Sequence, residues 1–146
     1  MCVLKLFSAE KSFRAFASKC SMPVYSVKEA GETRRKSTGE VREEHRISFD
    51  VSDREWDEFP AQAKEAEAFL EKYRSELTEL FSTHPISSAY LDFPIWSRLS
   101  EEIVNQNDHL PAGLVATCGS LGLGIEMSQY SRDAFDGLDE PGDSEE

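Results

Sequence analysis

A run of three cations, Arg34-Arg35-Lys36, is the part of this sequence best suited to chemistry. The run lies in a polar stretch that contains Gly31 and Gly39, which predicts an exposed loop. Guanidinium and ammonium groups bind phosphate or carboxylate groups, and arginine does so through paired hydrogen bonds. The triplet therefore indicates a loop that binds an anion or docks an acidic partner. The plain alternative is a solvated turn whose charges are offset by nearby glutamates.

An acidic surface is the second candidate feature. The 146-residue chain carries a net charge of −12, which is unevenly distributed. Residues 1–46 are basic, with ten Lys and Arg against six Asp and Glu. Residues 133–146 carry seven acids and no base. This charge disfavours nucleic acid as a partner, because most of the surface would repel a phosphate backbone. It favours a basic protein, which would contact the acidic tail and the acidic face of a long predicted helix: Glu65, Glu71, Glu76 and Glu79.

Catalytic and metal-binding motifs are missing from the sequence. The histidines and cysteines are widely separated and form no metal-spaced pair: His45, His84, His109, Cys2, Cys20 and Cys118. The stretch 119–122 (GSLG) fails as a nucleophile elbow, because Cys118 stands where that motif needs glycine. We therefore expect no cofactor and no metal, and binding is favoured over catalysis. Because the three cysteines predict no disulfide framework, a reducing cytoplasmic location fits them better than an oxidising compartment.

The elements that must position these residues follow from apolar periodicity. Alternation predicts strands at residues 2–7, 24–29, 44–51 and 88–93, with Pro94 ending the fourth. Residues 30–42 are expected to be a loop. Ser8 is predicted to cap a first helix, whose apolar stripe is Phe13, Phe16, Ala17 and Cys20. A capping box at residues 52–55 predicts a long helix that reaches residue 82. Residues 95–109 are a short helix or an ordered loop, and residues 110–131 are a closing helix and strand.

The resulting order, β-α-β-β-α-β followed by a helix and a strand, predicts an α+β fold of the ferredoxin-like, split β-α-β type. Two helices are expected to cover one face of an antiparallel sheet, and the extra helix and strand to extend that sheet or cap its edge. Residues 1–131 are predicted to form one domain. Residues 132–146 are predicted to be an acidic, disordered tail.

Three segments give the chain a resemblance to a known family. Residues 33–36 followed by Gly39-Glu40, the helix from Trp56 to Leu80, and the closing segment that ends in Ser128-Gln129-Tyr130 occur in this order. In these features the chain resembles the bacterial family called domain of unknown function 4279, over roughly residues 2–131. It departs from the family where an expected Trp after the basic loop is replaced by a strand containing Ile47 and Phe49. The resemblance implies an α+β fold and carries no activity or catalytic residue.

Two functions of different class remain open at this point. The first is a non-catalytic interaction domain, an immunity-type or antitoxin-like inhibitor of a basic partner, for which electrostatic complementarity speeds association. The second is a ligand-binding or enzymatic domain whose Arg34–Lys36 loop engages an anion. Its pocket would lie between the sheet and residues 95–109, lined by Tyr25, Tyr90, Trp96 and Tyr130.

Two further expectations concern association. No apolar run approaches the ~20 residues that span a membrane, so a membrane partner is not expected. A homodimer built by pairing of sheet edges is a third possibility, because edge strands offer unpaired backbone groups.

Overall fold

The computed structural model describes residues 1–136, which form seven strands and four helices. The strands are β1 (Cys2–Ser8), β2 (Val24–Lys28), β3 (Thr33–Arg35), β4 (Glu40–Val41), β5 (His45–Ser52), β6 (Ser88–Trp96) and β7 (Gly124–Tyr130). The helices are α1 (Arg14–Ala17), α2 (Phe59–Lys72), α3 (Arg74–Thr83) and α4 (Ala112–Leu121). The acidic tail from residue 137 onward lies outside the described residues.

Five strands form one mixed sheet in the order β2-β5-β1-β6-β7. Neighbours are antiparallel except β6 and β7, which are parallel because the chain returns through α4 between them. β3 and β4 form a separate two-stranded ribbon. The α+β class is confirmed. The extra helix and strand were predicted to extend an antiparallel sheet or cap its edge; β7 extends the sheet, but it joins β6 in parallel, so the sheet is mixed.

One face of the sheet is covered by the helices and holds the apolar core. Its strand side chains come from alternate positions of the three central strands, such as Leu4, Phe49 and Phe93, which are fully buried. The helices contribute the other half of the core, with Leu70 and Leu114 also fully buried. No helix of residues 1–136 covers the opposite face of the sheet, and we call it the open face.

The long predicted helix is two helices, and it begins later than the capping box indicated. α2 begins at Phe59, with a proline in its first turn, and Ser52 does not cap it. The Ser52 hydroxyl instead donates to Glu65 and accepts from the backbone N–H of Arg54. At Tyr73 the backbone leaves helical geometry (φ −106°, ψ 16°), which separates α2 from α3. Trp56, predicted to lie at the start of this helix, therefore lies before it.

Three other segments differ from expectation. The predicted first helix is only four residues long, and the predicted loop 30–42 contains the exposed β3–β4 ribbon. β6 continues through Pro94 to Trp96. Proline has no backbone N–H to donate, but β1 pairs with β6 only as far as Asp92, so β6 beyond that residue has a free edge where no hydrogen bond is lost. Residues 97–111 contain no helix or strand.

Two glycines near the C-terminus of α4 allow the end of this helix to be tested. Gly122 caps α4 with φ +74°, a left-handed conformation that costs other residues energy, whereas Gly119 is helical with open space where a Cβ would lie. We expect Gly122→Ala to lower the free energy of unfolding by about 1 kcal/mol, and Gly119→Ala to raise it slightly. Urea unfolding measures both. Equal effects of the two substitutions would contradict this account of the cap.

A second prediction concerns Glu29, which joins three segments. Its carboxylate accepts a hydrogen bond from Ser12 (2.5 Å) and lies 2.9 Å from Arg14 Nε and from His45 Nδ1. The Ser12 hydrogen bond is the largest cause that lowers the pKa of Glu29 below its ordinary value of 4.5. A lowered carboxylate pKa stabilises the fold above the unfolded value, and this stabilisation is lost as the pH falls through the folded value.

Glu29→Gln is therefore expected to cost about 1 kcal/mol at neutral pH, and the difference from wild type is expected to shrink below about pH 4. Urea unfolding across this pH range measures it. Replacement of the exposed Glu10 by Gln serves as the control and should leave the curve unchanged. A cost of Glu29→Gln that is constant with pH would show that the carboxylate charge is not the cause.

Candidate functional site

The open face of the sheet carries charged side chains that are nevertheless buried. Lys5 on β1 and Asp92 on β6 form an ion pair with 2.9 Å between Nζ and Oδ2, and each residue is less than a tenth exposed. Ser128 on β7 donates a hydrogen bond to the other carboxylate oxygen at 2.6 Å. Polar groups from three adjacent strands thus meet at the centre of this face. The charge of Lys5 is compensated inside the protein.

Arg46 on β5 is the exception on this face, because its charge is not compensated. The residue is 8% exposed, and its Nε has no hydrogen-bond partner. No carboxylate of residues 1–136 forms an ion pair with it. Burial, and then the nearby guanidinium of Arg42, lower the pKa of Arg46 below its ordinary value. Arginine nevertheless stays protonated, and an uncompensated buried charge costs several kcal/mol.

A cavity of about 720 Å³ lies between the open face and the β3–β4 ribbon. Its cations are Lys5 and Arg46 from the sheet, Arg34 and Arg35 from β3, and Arg42, which directly follows β4. Carboxylates also line it, at Glu40, Glu43, Glu44, Asp92 and Glu126. Arg34 and Arg35 both approach Glu40, at 3.5 and 3.8 Å, where all three side chains are substantially exposed. The ribbon cations are therefore partly offset by their own neighbours, whereas Arg46 is not.

A second cavity, of about 310 Å³, adjoins the first and shares Lys5, Arg46 and Asp92 with it. Its other walls are largely aromatic, from Tyr25, Trp56, Tyr130 and Phe135. Tyr25 follows from a β-bulge: the β2–β5 register shifts between Val24 and Ser26, and both Tyr25 and Ser26 line the cavity. Bulges commonly redirect a side chain in this way.

Apart from Tyr25, the aromatic wall belongs to a packed cluster that also includes Trp96. The ring centroid of Trp56 lies 4.6 Å from that of Trp96, 4.7 Å from that of Tyr130 and 5.7 Å from that of Phe135. Arg132 lies over the Trp96 ring at 5.3 Å. Because these rings hold one another, the wall is formed before any ligand arrives.

The residues predicted for an anion-binding pocket are distributed over both cavities. Arg34, Arg35 and Tyr90 line the first cavity, and Tyr25 and Tyr130 line the second. Trp96 contacts the cluster, and Lys36 lies outside both linings. The location differs from the prediction, since residues 97–109 line neither cavity. They are held instead by an Arg98–Asp108 ion pair at 2.9 Å and by Gln106. Burial, and then Glu126, raise the pKa of Tyr90, which keeps its hydroxyl protonated.

The four glutamates predicted to bind a partner are spread over two helices, and three of them have intramolecular partners. Glu65 accepts from Ser52 and from Arg54 (2.9 Å), and these bonds lower its pKa. Glu71 pairs with Arg74 at 2.7 Å, which lowers its pKa. Glu76 accepts from the backbone N–H of Ser21 at 2.9 Å and from the Ser21 hydroxyl. Glu79 is exposed.

Sequence reasoning did not single out Lys5, Arg46, Asp92 or Trp56. A signal existed for the first and third of these residues: each is a charged residue with apolar neighbours on both sides in a predicted strand. The alternation of β5 predicted a solvated face at Arg46. Arg46 is instead buried, in a cavity lining that it shares with residues of the β3–β4 ribbon and of the neighbouring strand β1.

Other titratable groups in residues 1–136 do not form a second site with catalytic or metal-binding geometry. The Cys118 thiol is buried, and burial raises its pKa to about 11, which disfavours the thiolate. His84 is buried against the Phe13 ring, 4.3 Å between centroids. In this part of the chain no group of three or more His, Cys, Asp or Glu side chains is placed to hold a metal ion. Nor does any helix in it combine the length and apolar character needed to cross a membrane.

Comparison with known proteins adds no relative: no family model matches the chain, and no curated protein or solved structure matches it significantly. The resemblance to domain of unknown function 4279 therefore stays a prediction. The geometry of the open face carries the functional argument.

The buried ion pair gives a stability prediction. Lys5→Met leaves the Asp92 carboxylate buried without its cation and should cost about 3 kcal/mol, whereas the double variant Lys5→Met/Asp92→Leu should cost clearly less. Urea unfolding of the three proteins measures this. The control is Arg74→Met, which breaks the exposed pair with Glu71 and should cost under about 1 kcal/mol. A double variant that costs as much as Lys5→Met or more would contradict the coupling.

Proposed function

We propose that this protein binds a small ligand through an anionic group, and that it does so on the open face of its sheet. The single observation that carries the proposal is Arg46, a residue only 8% exposed, which lines both cavities and has no counter-ion in residues 1–136 and no hydrogen-bond partner at its buried Nε. An anion placed beside Arg46 would compensate a charge that the free protein leaves unbalanced.

The surroundings of Arg46 favour a fixed anion over bulk counter-ions. Low local polarizability strengthens charge–charge interaction, and a guanidinium presents paired donors to phosphate or carboxylate oxygens. Lys5 is paired with Asp92, so its charge is already neutralised and it adds little attraction for an anion. Arg34 and Arg35 at the ribbon are exposed and would add attraction for an anion at the rim of the first cavity.

The finer fold assignment also belongs among the proposals. We propose that β1, β2, β5 and β6 follow the ferredoxin-like split plan, with β7 added. The support is that β1 pairs antiparallel with β5 and β6, and β2 pairs antiparallel with β5.

The alternative functions stay predictions. An interaction domain that docks a basic protein through Glu65, Glu71, Glu76 and Glu79 has less local support, because three of these carboxylates already have partners. Replacing all four with lysine and measuring partner affinity tests that surface. A homodimer would have to pair through β2 or β7, the edges of the sheet.

The binding proposal is tested with inorganic phosphate and pyrophosphate by thermal unfolding at constant ionic strength. We expect both anions to raise the melting temperature of the wild type and not that of Arg46→Gln. The free Arg46→Gln protein should be at least as stable as the wild type, because an uncompensated charge has been removed.

Lys36→Gln is the matched control, since it removes a cation that lines neither cavity, and it should retain the anion effect. Stabilisation of Arg46→Gln equal to that of the wild type, or none of the wild type by either anion, would contradict the proposal.

A further inference from the structure

The boundary between the two cavities limits the shape of the ligand. Lys5, Arg46 and Asp92 line both cavities, so an anion beside Arg46 lies where the cavities meet. The remainder of the ligand must then extend toward one cavity or the other. This step rests on the proposed function, since it takes Arg46 as the anion site.

Charge favours the second cavity for that remainder. The first cavity is lined by five carboxylates, whereas Asp92 is the one carboxylate among the described lining residues of the second, and it is already paired with Lys5. The first cavity therefore suits water or a polar extension. The second cavity suits an uncharged, desolvated group.

The walls of the second cavity favour a planar ring. Tyr25 approaches from β2 at one edge of the sheet and Tyr130 from β7 at the other, while Trp56 stacks on Tyr130 with 27° between the rings. Tyr25 is 57% exposed, so its ring has area to cover. A volume of about 310 Å³ is at the low end for small-molecule sites, which suits one ring system and not a long chain.

We infer that the ligand is an aromatic or heteroaromatic compound that carries one phosphate or carboxylate group close to its ring. The anionic group lies beside Arg46, and the ring lies in the second cavity against Tyr25 and the Trp56–Tyr130 stack.

Two matched pairs of probes test this by calorimetry at constant ionic strength: methyl phosphate against phenyl phosphate, and acetate against benzoate. The members of a pair share their anionic group and differ in the ring. Stacking on aromatic side chains gives an expected gain of about tenfold in affinity for the ring-bearing member of at least one pair. The pair that shows it identifies the head group.

Tyr25→Leu removes an exposed ring and should reduce that gain to under about threefold without weakening the ring-free probe. Tyr90→Leu is the matched control, because Tyr90 lines only the first cavity, and it should keep the gain. Loss of the gain in Tyr90→Leu with retention in Tyr25→Leu would place the ring in the first cavity and overturn the inference.

The outcomes separate the two proposals. Binding of a ring-free probe that depends on Arg46, with no gain from the ring in either pair, would overturn the inference and leave the proposed function standing. Absence of binding by all four probes would overturn both. Binding that Arg46→Gln does not weaken would overturn the proposed function, whatever the ring contributes.

Discussion

The buried ion pair between Lys5 and Asp92 is the interaction on which the open face depends. Two charges taken out of water must meet in good geometry or the fold loses several kcal/mol. Here the pair joins β1 to β6, and Ser128 adds β7 through its hydrogen bond to the same carboxylate. Three strands are thereby tied on the side of the sheet that no helix covers, and a polar floor is fixed under both cavities.

That pair also makes Arg46 conspicuous. Lys5 and Arg46 lie on neighbouring strands of the same face, and both are nearly inaccessible. Asp92, the carboxylate that lines both cavities, is already committed to Lys5 and Ser128. An arginine cannot shed its proton to escape burial as a lysine can. The open face therefore presents one guanidinium whose charge is not compensated, beside aromatic rings that pack against one another.

Much of the fold could be predicted from the sequence, and the site only in part. β1, β2 and β5 were predicted within a residue or two, because alternation is a local property of each strand. The start of α2 was missed because a capping-box pattern at Ser52 competes with Pro60, which is itself suited to a first helical turn. Tyr25, Tyr90, Tyr130 and Arg34 were proposed together as a pocket, but the cover over the sheet was taken to be residues 95–109 and is in fact the ribbon.

By itself, the sequence determined the α+β class, the positions of the central strands and the presence of a basic segment in an acidic chain. These depend on neighbours within a few residues of one another. Only the tertiary structure decided which charges are buried and which of them are paired. Lys5 meets Asp92 across 87 residues of chain, and the isolation of Arg46 depends on what every adjacent strand leaves uncommitted. Such pairing is a property of the assembled sheet, since no local pattern records which distant carboxylate reaches which cation.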